Sequence, residues 1–277
     1  MTQTLLSIGH GYGGRATEAA LGADWRVLGT SRTGGAALRW PEGAAAALEQ
    51  ATHVISWVAP GREPGRGPAD DPVLPLLSGL TAPKLRWVGY ASASSLYGDR
   101  DGAWIDETAP DDPGTERGLR RQRAEHAWQA YAAARGVPCA LFRIAGIYGP
   151  GRSVFDALRA GRAQRVIKPG QVFNRIHVQD LARIVAAAAR AKLDGPVILA
   201  DELPAPLADV VAYGAELAGL PCPPAVDFDS AALSDMARSF YAENKRLRSV
   251  RVGPELGVSL RYPDYRAGLR AILAGTA

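Results

Sequence analysis

Through the first two thirds of the chain, apolar runs of strand length alternate with alanine-rich stretches of helical length. The runs predict strands over residues 4–8, 26–30, 53–58, 85–91, 139–145 and 197–200, and the stretches between them predict helices that include 43–50 and 115–135. Strands that take turns with helices imply a parallel sheet covered on both faces. The second of these helices has clear stop signals in Gly136 and Pro138. From Gly149 the texture changes: GPGRSVFDALRAGRAQRVIKPGQVFNR mixes glycine, proline and arginine, and a second irregular region runs from Pro204 to about Arg251. These excursions divide the chain into a main sheet domain, residues 1–150 and about 177–203, and a smaller lobe, about 151–176 and 204–277, which closes with a helix. GREPGRGPADDPVLP, residues 61–75, is predicted as a glycine and proline loop near the carboxyl edge of the sheet, where such folds place ligands.

Composition narrows the picture modestly. A length of 277 residues with 47% hydrophobic content suffices for one large core and a smaller lobe. The surplus of 32 basic over 28 acidic residues is small and spread along the chain. Nucleic acid is not expected as a partner, because no aromatic residues are interleaved with the arginines. Cys139 and Cys222 lack the paired spacing of a zinc site or a disulfide framework, and no metal is expected. The opening MTQTLLSIGH has no basic start and runs straight into glycines, unlike a signal peptide. No stretch approaches the roughly 18 apolar residues of a membrane span. A reduced, cytoplasmic protein without a membrane partner is the expectation.

The most specific local signal is GHGYGG after the first strand, which sets Gly9, Gly11 and Gly14 in the G-x-G-x-x-G spacing. Such a turn needs glycine for tightness, for close backbone approach to a pyrophosphate and for packing of the helix that follows. A helix-compatible RATEAAL and a second strand, WRVLGT, follow at the right distance. The fold class is therefore α/β, a Rossmann-type doubly wound parallel sheet with a smaller C-terminal substrate lobe. Tyr12 within the turn and Ala59 after the third strand join the cofactor-binding candidates. Roughly 20 residues beyond the turn, a protein selecting NAD usually places Asp or Glu on the ribose 2′-hydroxyl. Here the chain has Thr30, Ser31 and Arg32, which suit a 2′-phosphate, and Arg15 could share the role. NADP (NADPH) is preferred, with NAD possible.

With GHGYGG stand TSR after the second strand, YASASSLYGD after the fourth, LFRIAGIYGPGR after the fifth, and then RIHVQDLA and PVILADE. Together these segments resemble the extended short-chain dehydrogenase/reductase superfamily, the NAD(P)-dependent epimerases and dehydratases. ENKRLRS and YPDYRAGL resemble an atypical branch of it. The resemblance implies a serine or threonine four residues before the tyrosine of the YG pair, and Y-x-x-x-K-x-x-x-E on an active-site helix. In that pattern tyrosine is the acid or base, lysine binds the nicotinamide ribose and lowers the tyrosine pKa, and the hydroxyl polarises the substrate. Counted from Tyr97, the hydroxyl position is Ala93; counted from Glu125, the lysine and tyrosine positions are Arg121 and Arg117.

All three functional types are thus replaced, and whether the protein is an enzyme is left open. At 100° per residue Arg117, Arg121, Glu125 and Trp128 fall within about 80° of one another, on the face that would look into the cofactor cleft. Arg121 can donate to ribose hydroxyls, yet a guanidinium does not cycle a proton near neutral pH. A surface helix with Arg121 and Glu125 paired at i, i+4 is the alternative. Catalytic candidates are Ser94, beside the vacant Ala93 position, Tyr97, Arg121 and Tyr148. Substrate-binding candidates are Arg117, Arg175 and His177, although His177 with Asp180 could instead anchor a helix start. Three readings compete: an NADP-binding oxidoreductase or epimerase-like protein acting on a small polar substrate, with an anion among the options; a non-catalytic NADP-responsive binding or regulatory protein; and an active sugar-nucleotide epimerase or dehydratase of classical mechanism, which requires the missing tyrosine. Monomer and homodimer both stay open.

Overall fold

The computed structural model describes residues 2–34, 37–61 and 71–277. The greater part of the predicted loop 61–75, residues 62–70, lies outside the described residues. A seven-stranded parallel sheet forms the centre, from β1 (Gln3–Ile8), β2 (Trp25–Ser31), β3 (Leu38–Arg39), β4 (His53–Ser56), β5 (Trp87–Ala93), β7 (Cys139–Ile144) and β11 (Gly195–Leu199). Its spatial order is β11-β7-β5-β4-β1-β2-β3, doubly wound about β1. Every strand predicted from apolar runs is present in it, and β3 is added at the edge. Flanking helices are α1 (Tyr12–Leu21), α2 (Ala44–Gln50), α3 (Leu74–Ser78), α4 (Glu116–Ala133) and α6 (Val178–Ala191). Burial on both faces explains the unbroken apolar runs: Leu5, Trp87, Phe142 and Val197 pack under α6, while Leu6, Val54, Tyr90 and Leu141 pack under α4.

Short strands carry the chain out of this sheet. β8 (Gly146–Tyr148) pairs with β10 (Arg175–His177), β9 (Arg165–Ile167) with β12 (Ala225–Asp227), and β6 (Trp104–Ile105) with β13 (Arg246–Leu247), all parallel. Around them lie α5 (Val154–Arg159), α7 (Leu207–Ala218), α8 (Asp235–Ser239), α9 (Val252–Leu256) and α10 (Tyr265–Leu273). A separate small core of Phe155, Ala205, Val210, Tyr265 and Leu269 holds α5, α7 and α10 together. The region after Pro204 is less irregular than its composition suggests. LADVVAYGAELA places apolar residues at helical spacing, and Gly219 closes α7 in the left-handed conformation at φ 61°.

α4 begins as its sequence dictates. Thr115 is the N-cap and its hydroxyl accepts the Gly118 N–H at 3.2 Å, while Glu116 in the first turn complements the helix dipole. Trp128 stacks on Tyr90 of β5, with ring centroids 5.7 Å apart, and its Nε1 donates to Asp71 Oδ2 at 2.8 Å. These contacts fix the rotation of α4, so Arg117, Arg120 and Arg121 line a cleft along the carboxyl edge of the sheet. Among the described residues, no helix is long and apolar enough to cross a membrane, and no group of three His, Cys, Asp or Glu side chains could hold a metal ion. Both cysteines are free, Cys139 buried and Cys222 exposed.

Candidate functional site

The glycine turn is shaped by close neighbours. Gly9 has φ +72°, and a Cβ there would lie 2.8 Å from Val58 Cγ2. A Cβ on Gly14 would lie 2.9 Å from His10 Nδ1, and one on Gly13 2.8 Å from the Trp57 ring. Only glycine lets α1 settle this close to β4. Gly11 differs: a Cβ there would meet nothing nearer than the Gly9 carbonyl at 3.7 Å, so its side faces open space. The first turn of α1 has no acidic residue and no side-chain cap, and the N–H groups of Tyr12, Gly13 and Gly14 have no hydrogen-bond acceptor among the described residues. Uncapped amides beside a bare glycine fit a diphosphate, whose charge the helix dipole also favours.

His10 and Trp57 support this turn, and spacing alone did not reveal them. His10 Nδ1 and Trp57 Nε1 both meet Ser7 Oγ, at 2.9 and 3.1 Å, and His10 Nε2 reaches Glu18 at 3.0 Å. The imidazole fills the room left by the missing side chain of Gly29, where a Cβ would come within 2.6 Å of it. The x position of a glycine motif carries no pattern from which such a wedge could be read.

At the end of β2 the three candidates separate. Thr30 is fully buried, and its hydroxyl accepts the Gly9 N–H at 3.3 Å, so it braces the turn from beneath and has no surface for a phosphate. Ser31 Oγ closes a local loop with Gly34, accepting its N–H at 2.9 Å and donating to its carbonyl at 3.0 Å. Arg32 and Arg15 are exposed, and no acid stands at residues 30–34. Tyr12 donates its hydroxyl to the Pro150 carbonyl at 3.0 Å, tying the glycine turn to the start of the lobe.

Ala59, Ala93, Ser94, Arg117, Arg121, Tyr148 and Arg175 line one cleft of about 1360 Å³ between the sheet edge and the lobe. Arg120, Arg152, Arg162 and Lys245 add to its positive lining, against Glu243 and Asp235. A second cavity, of about 590 Å³ beside α9, holds none of the predicted residues. Arg121 does not pair with Glu125. Its Nη1 donates to Tyr90 Oη at 3.0 Å and to the Ala91 carbonyl at 2.8 Å, while Glu125 turns inward to Arg143 Nη2 at 2.9 Å. Burial favours the second partner, because Arg143 is the only cation within reach of a carboxylate enclosed by the core among the described residues. Arg117 stacks on the Phe240 ring, 4.4 Å from its centroid.

Tyr97 and His177 do not line the cleft. Tyr97 is fully buried beside Ala145, Ile198 and Leu247, with Arg143 4.8 Å over its ring, and burial pushes its hydroxyl up to about 12. His177 is fully buried between Tyr148 and Tyr262, and as the N-cap of α6 its Nδ1 accepts the Gln179 N–H at 3.3 Å. Asp180, in the first turn of α6, accepts the N–H groups of Arg261 and Tyr262, each at 2.8 Å, and so ties that segment to the helix. Tyr148 reaches the cleft, but its hydroxyl donates to the Asp264 carbonyl at 3.3 Å, and burial drives its pKa upward. Arg175 is held by the carbonyls of Phe173 and Ala205 at 2.9 and 3.1 Å.

Lys245, in the segment ENKRLRS, is a cleft residue that the candidates omitted. Its Nζ donates to Glu243 Oε2 at 2.6 Å and to the Gly98 carbonyl, and burial pushes the ammonium below the ordinary lysine value. The signal was its place in a segment that resembled one branch of the superfamily, since nothing in a lone lysine marks it as buried.

A parallel sheet of this order, with an uncapped glycine turn at the end of β1, is a dinucleotide-binding Rossmann fold. The model of the NAD dependent epimerase/dehydratase family matches residues 73–199. Over that stretch the chain is similar to that family. A functionally unknown conserved protein from Silicibacter pomeroyi is 47% identical over 99% of each chain, with a TM-score of 0.89. A human epimerase family protein solved with NADPH is 19% identical over 98% of this chain and 99% of its own, TM-score 0.78. UDP-N-acetylglucosamine 4-epimerase from Bacillus cereus is 15% identical over 99% of each chain, TM-score 0.77. At these last two identities the likeness is one of fold. No curated protein matches the sequence.

Proposed function

We propose that the protein binds NADP(H) along the carboxyl edge of the sheet and acts as an oxidoreductase or epimerase-like enzyme on a small substrate held against the lobe formed by residues of about 151–176 and 204–277. The observation that carries this reading is the first turn of α1, where free N–H groups lie beside Gly11 and its open side. Gly11, Tyr12, Gly13 and Gly14 would hold the diphosphate, Ser31 and Arg32 the 2′-phosphate, and Ala59 would border the cofactor's path into the cleft. Bound NADPH supplies a hydride. Arg121 keeps a fixed positive charge in the cleft beside Ser94, and its two bonds to β5 hold it in place.

Gly11→Ala is expected to unfold at the wild-type temperature, because its φ of −95° and open side accommodate a methyl group. The same methyl would keep the diphosphate off the amides, and charge-assisted bonds at ~1.5–3 kcal/mol each set a loss of about 10- to 100-fold in NADPH affinity. Calorimetric titration of wild type and variant tests this. Absence of uptake by wild type at millimolar NADPH, or equal affinity in both, overturns the cofactor assignment.

Preference for NADPH rests on Arg32, exposed at the end of β2 with no acid near it in sequence. Arg32→Gln is expected to weaken NADPH by about 10- to 100-fold and leave NADH unchanged. A loss shared equally by the two cofactors would detach Arg32 from the 2′-phosphate.

A second reading, a non-catalytic NADP-responsive protein, is favoured by the engagement of Arg121 with Tyr90 and Ala91, since a tethered guanidinium transfers no proton. Saturable NADPH binding without oxidation against a panel of carbonyl compounds and sugar nucleotides supports that reading, and turnover excludes it.

A further inference from the structure

The lobe side of the cleft is apolar where a sugar would need polar partners. Val154 of α5, Leu207 and Val210 of α7, Leu269 of α10, and Met236 and Phe240 on and beside α8 make up much of it. Of the polar groups nearby, Arg175 is engaged with two carbonyls and Asn174 with the Lys245 carbonyl at 2.9 Å and the Leu247 N–H at 2.8 Å, which leaves the Tyr241 hydroxyl without a partner among the described residues. Hydroxyl groups pressed against this wall would lose water without gaining hydrogen bonds, which costs affinity. Leu207, Met236 and Phe240 are exposed at 37%, 55% and 49%. That much apolar surface on a cleft calls for an apolar ligand to cover it.

Among the cations that line the cleft, Arg117 lies against the Phe240 part of this wall. Arg117 extends from the first turn of α4, its guanidinium lies on the Phe240 ring, and it makes no hydrogen bond or ion pair among the described residues. Stacking leaves the N–H edge of the fork open, the geometry that receives a carboxylate through two parallel bonds. Lys245 offers no comparable freedom, since Glu243 and the Gly98 carbonyl already hold it. A guanidinium whose fork stays open against an apolar wall suits an anion with one charged end and a greasy remainder.

We propose that the cleft takes an amphipathic carboxylic acid, with its carboxylate forked onto Arg117 and an aliphatic or aryl tail laid along the apolar wall that α5 and α7 present. The inference rests on the reading that this cleft is the substrate site. It departs from a sugar-nucleotide ligand.

Calorimetry with butanoate, hexanoate and octanoate tests it, run on the protein with and without saturating NADPH and with UDP-glucose as the polar comparator. Affinity is expected to rise about four-fold per added methylene. Arg117→Gln should weaken octanoate by about ten-fold or more while NADPH affinity holds. Met236→Ser, on an exposed rim position, should weaken octanoate more than butanoate. A flat chain-length series, an Arg117→Gln variant that binds octanoate as wild type does, or UDP-glucose binding that octanoate fails to displace overturns the proposal. A rising series in the cofactor-free protein with no NADPH uptake upholds the acid site and removes the cofactor assignment. NADPH uptake with a flat series does the reverse.

Discussion

Replacing Arg143 by methionine is expected to lower the free energy of unfolding by about 3–5 kcal/mol, the usual cost of stranding one member of a buried ion pair. Arg143 donates Nη2 to Glu125 Oε2 at 2.9 Å and Nε to Glu125 Oε1 at 3.3 Å, while its Nη1 lies 2.7 Å from Asp111 Oδ1. The side chains of Arg143 and Glu125 are only 6% and 2% exposed, so no water can take over the role of the lost guanidinium. Burial already holds the Glu125 carboxyl above the ordinary glutamate value, even with Arg143 beside it. Without that partner the charge becomes untenable, and Glu125 must take up a proton or the local packing must open. Removing both charges, as Arg143→Met with Glu125→Leu, should recover much of the loss, because well-packed apolar residues often match a buried pair. Urea unfolding of the two single variants and the double variant reads the cycle. A cost below about 1 kcal/mol for the single change, or a double variant as unstable as the sum of the singles, would show the pair to be dispensable.

The same pair explains a limit of reading the helix from sequence. Residues 117, 121, 125 and 128 share one face of α4, and the geometry that put the arginines toward the cleft was legible at 3.6 residues per turn. That face, however, spans two environments along its length: Arg117 and Arg121 look onto the cleft, while Glu125 and Trp128 are enclosed. The partner that decides this, Arg143, lies on β7, 18 residues from Glu125, within an apolar run that displays no charge pattern. Long apolar runs and the glycine spacing announced the sheet and the α1 turn because local sequence alone sets them. Strands of two or three residues, such as β6 and β13, follow from tertiary pairing and leave no periodicity to find. Hydroxyl chemistry at the end of β2 pointed to a phosphate, yet Thr30 faces the sheet interior, since alternate residues of a strand point to opposite sides. His177 illustrates the converse: an imidazole beside an aspartate suggests chemistry, and here His177 caps α6 while Asp180 ties residues 261 and 262 to its first turn.

Taken together, Asp201 and the two buried imidazoles of His53 and His177 favour the folded protein most near about pH 6.5, because their effects oppose one another. Burial pushes Asp201 from the ordinary 3.8 up to about 8, against the lowering pull of Arg175. Its Oδ1 accepts the Leu203 N–H at 3.3 Å, and its Oδ2 has no partner among the described residues. Between about pH 4 and about pH 8 the folded protein therefore keeps a proton that the unfolded chain has released, and stability falls as pH rises through that window, by ~1.36 kcal/mol per pH unit. Burial likewise brings His53 and His177 from 6.5 down to about 4. Between those limits the unfolded chain binds protons that the folded imidazoles refuse, so stability is lost as pH falls. Two imidazoles outweigh one carboxyl below about pH 6.5, and above it only the carboxyl still acts. Asp201→Asn keeps an acceptor for Leu203 and abolishes the titration. It should stabilise the protein at about pH 8.5 by up to about 5 kcal/mol, and by only about a third of that near pH 5. Chemical denaturation of wild type and variant across this range reads the difference directly. A gain that is the same at both ends, or a loss at about pH 8.5, would mean that Asp201 is ionised in the folded protein and that its charge is compensated by Arg175 across the strand end.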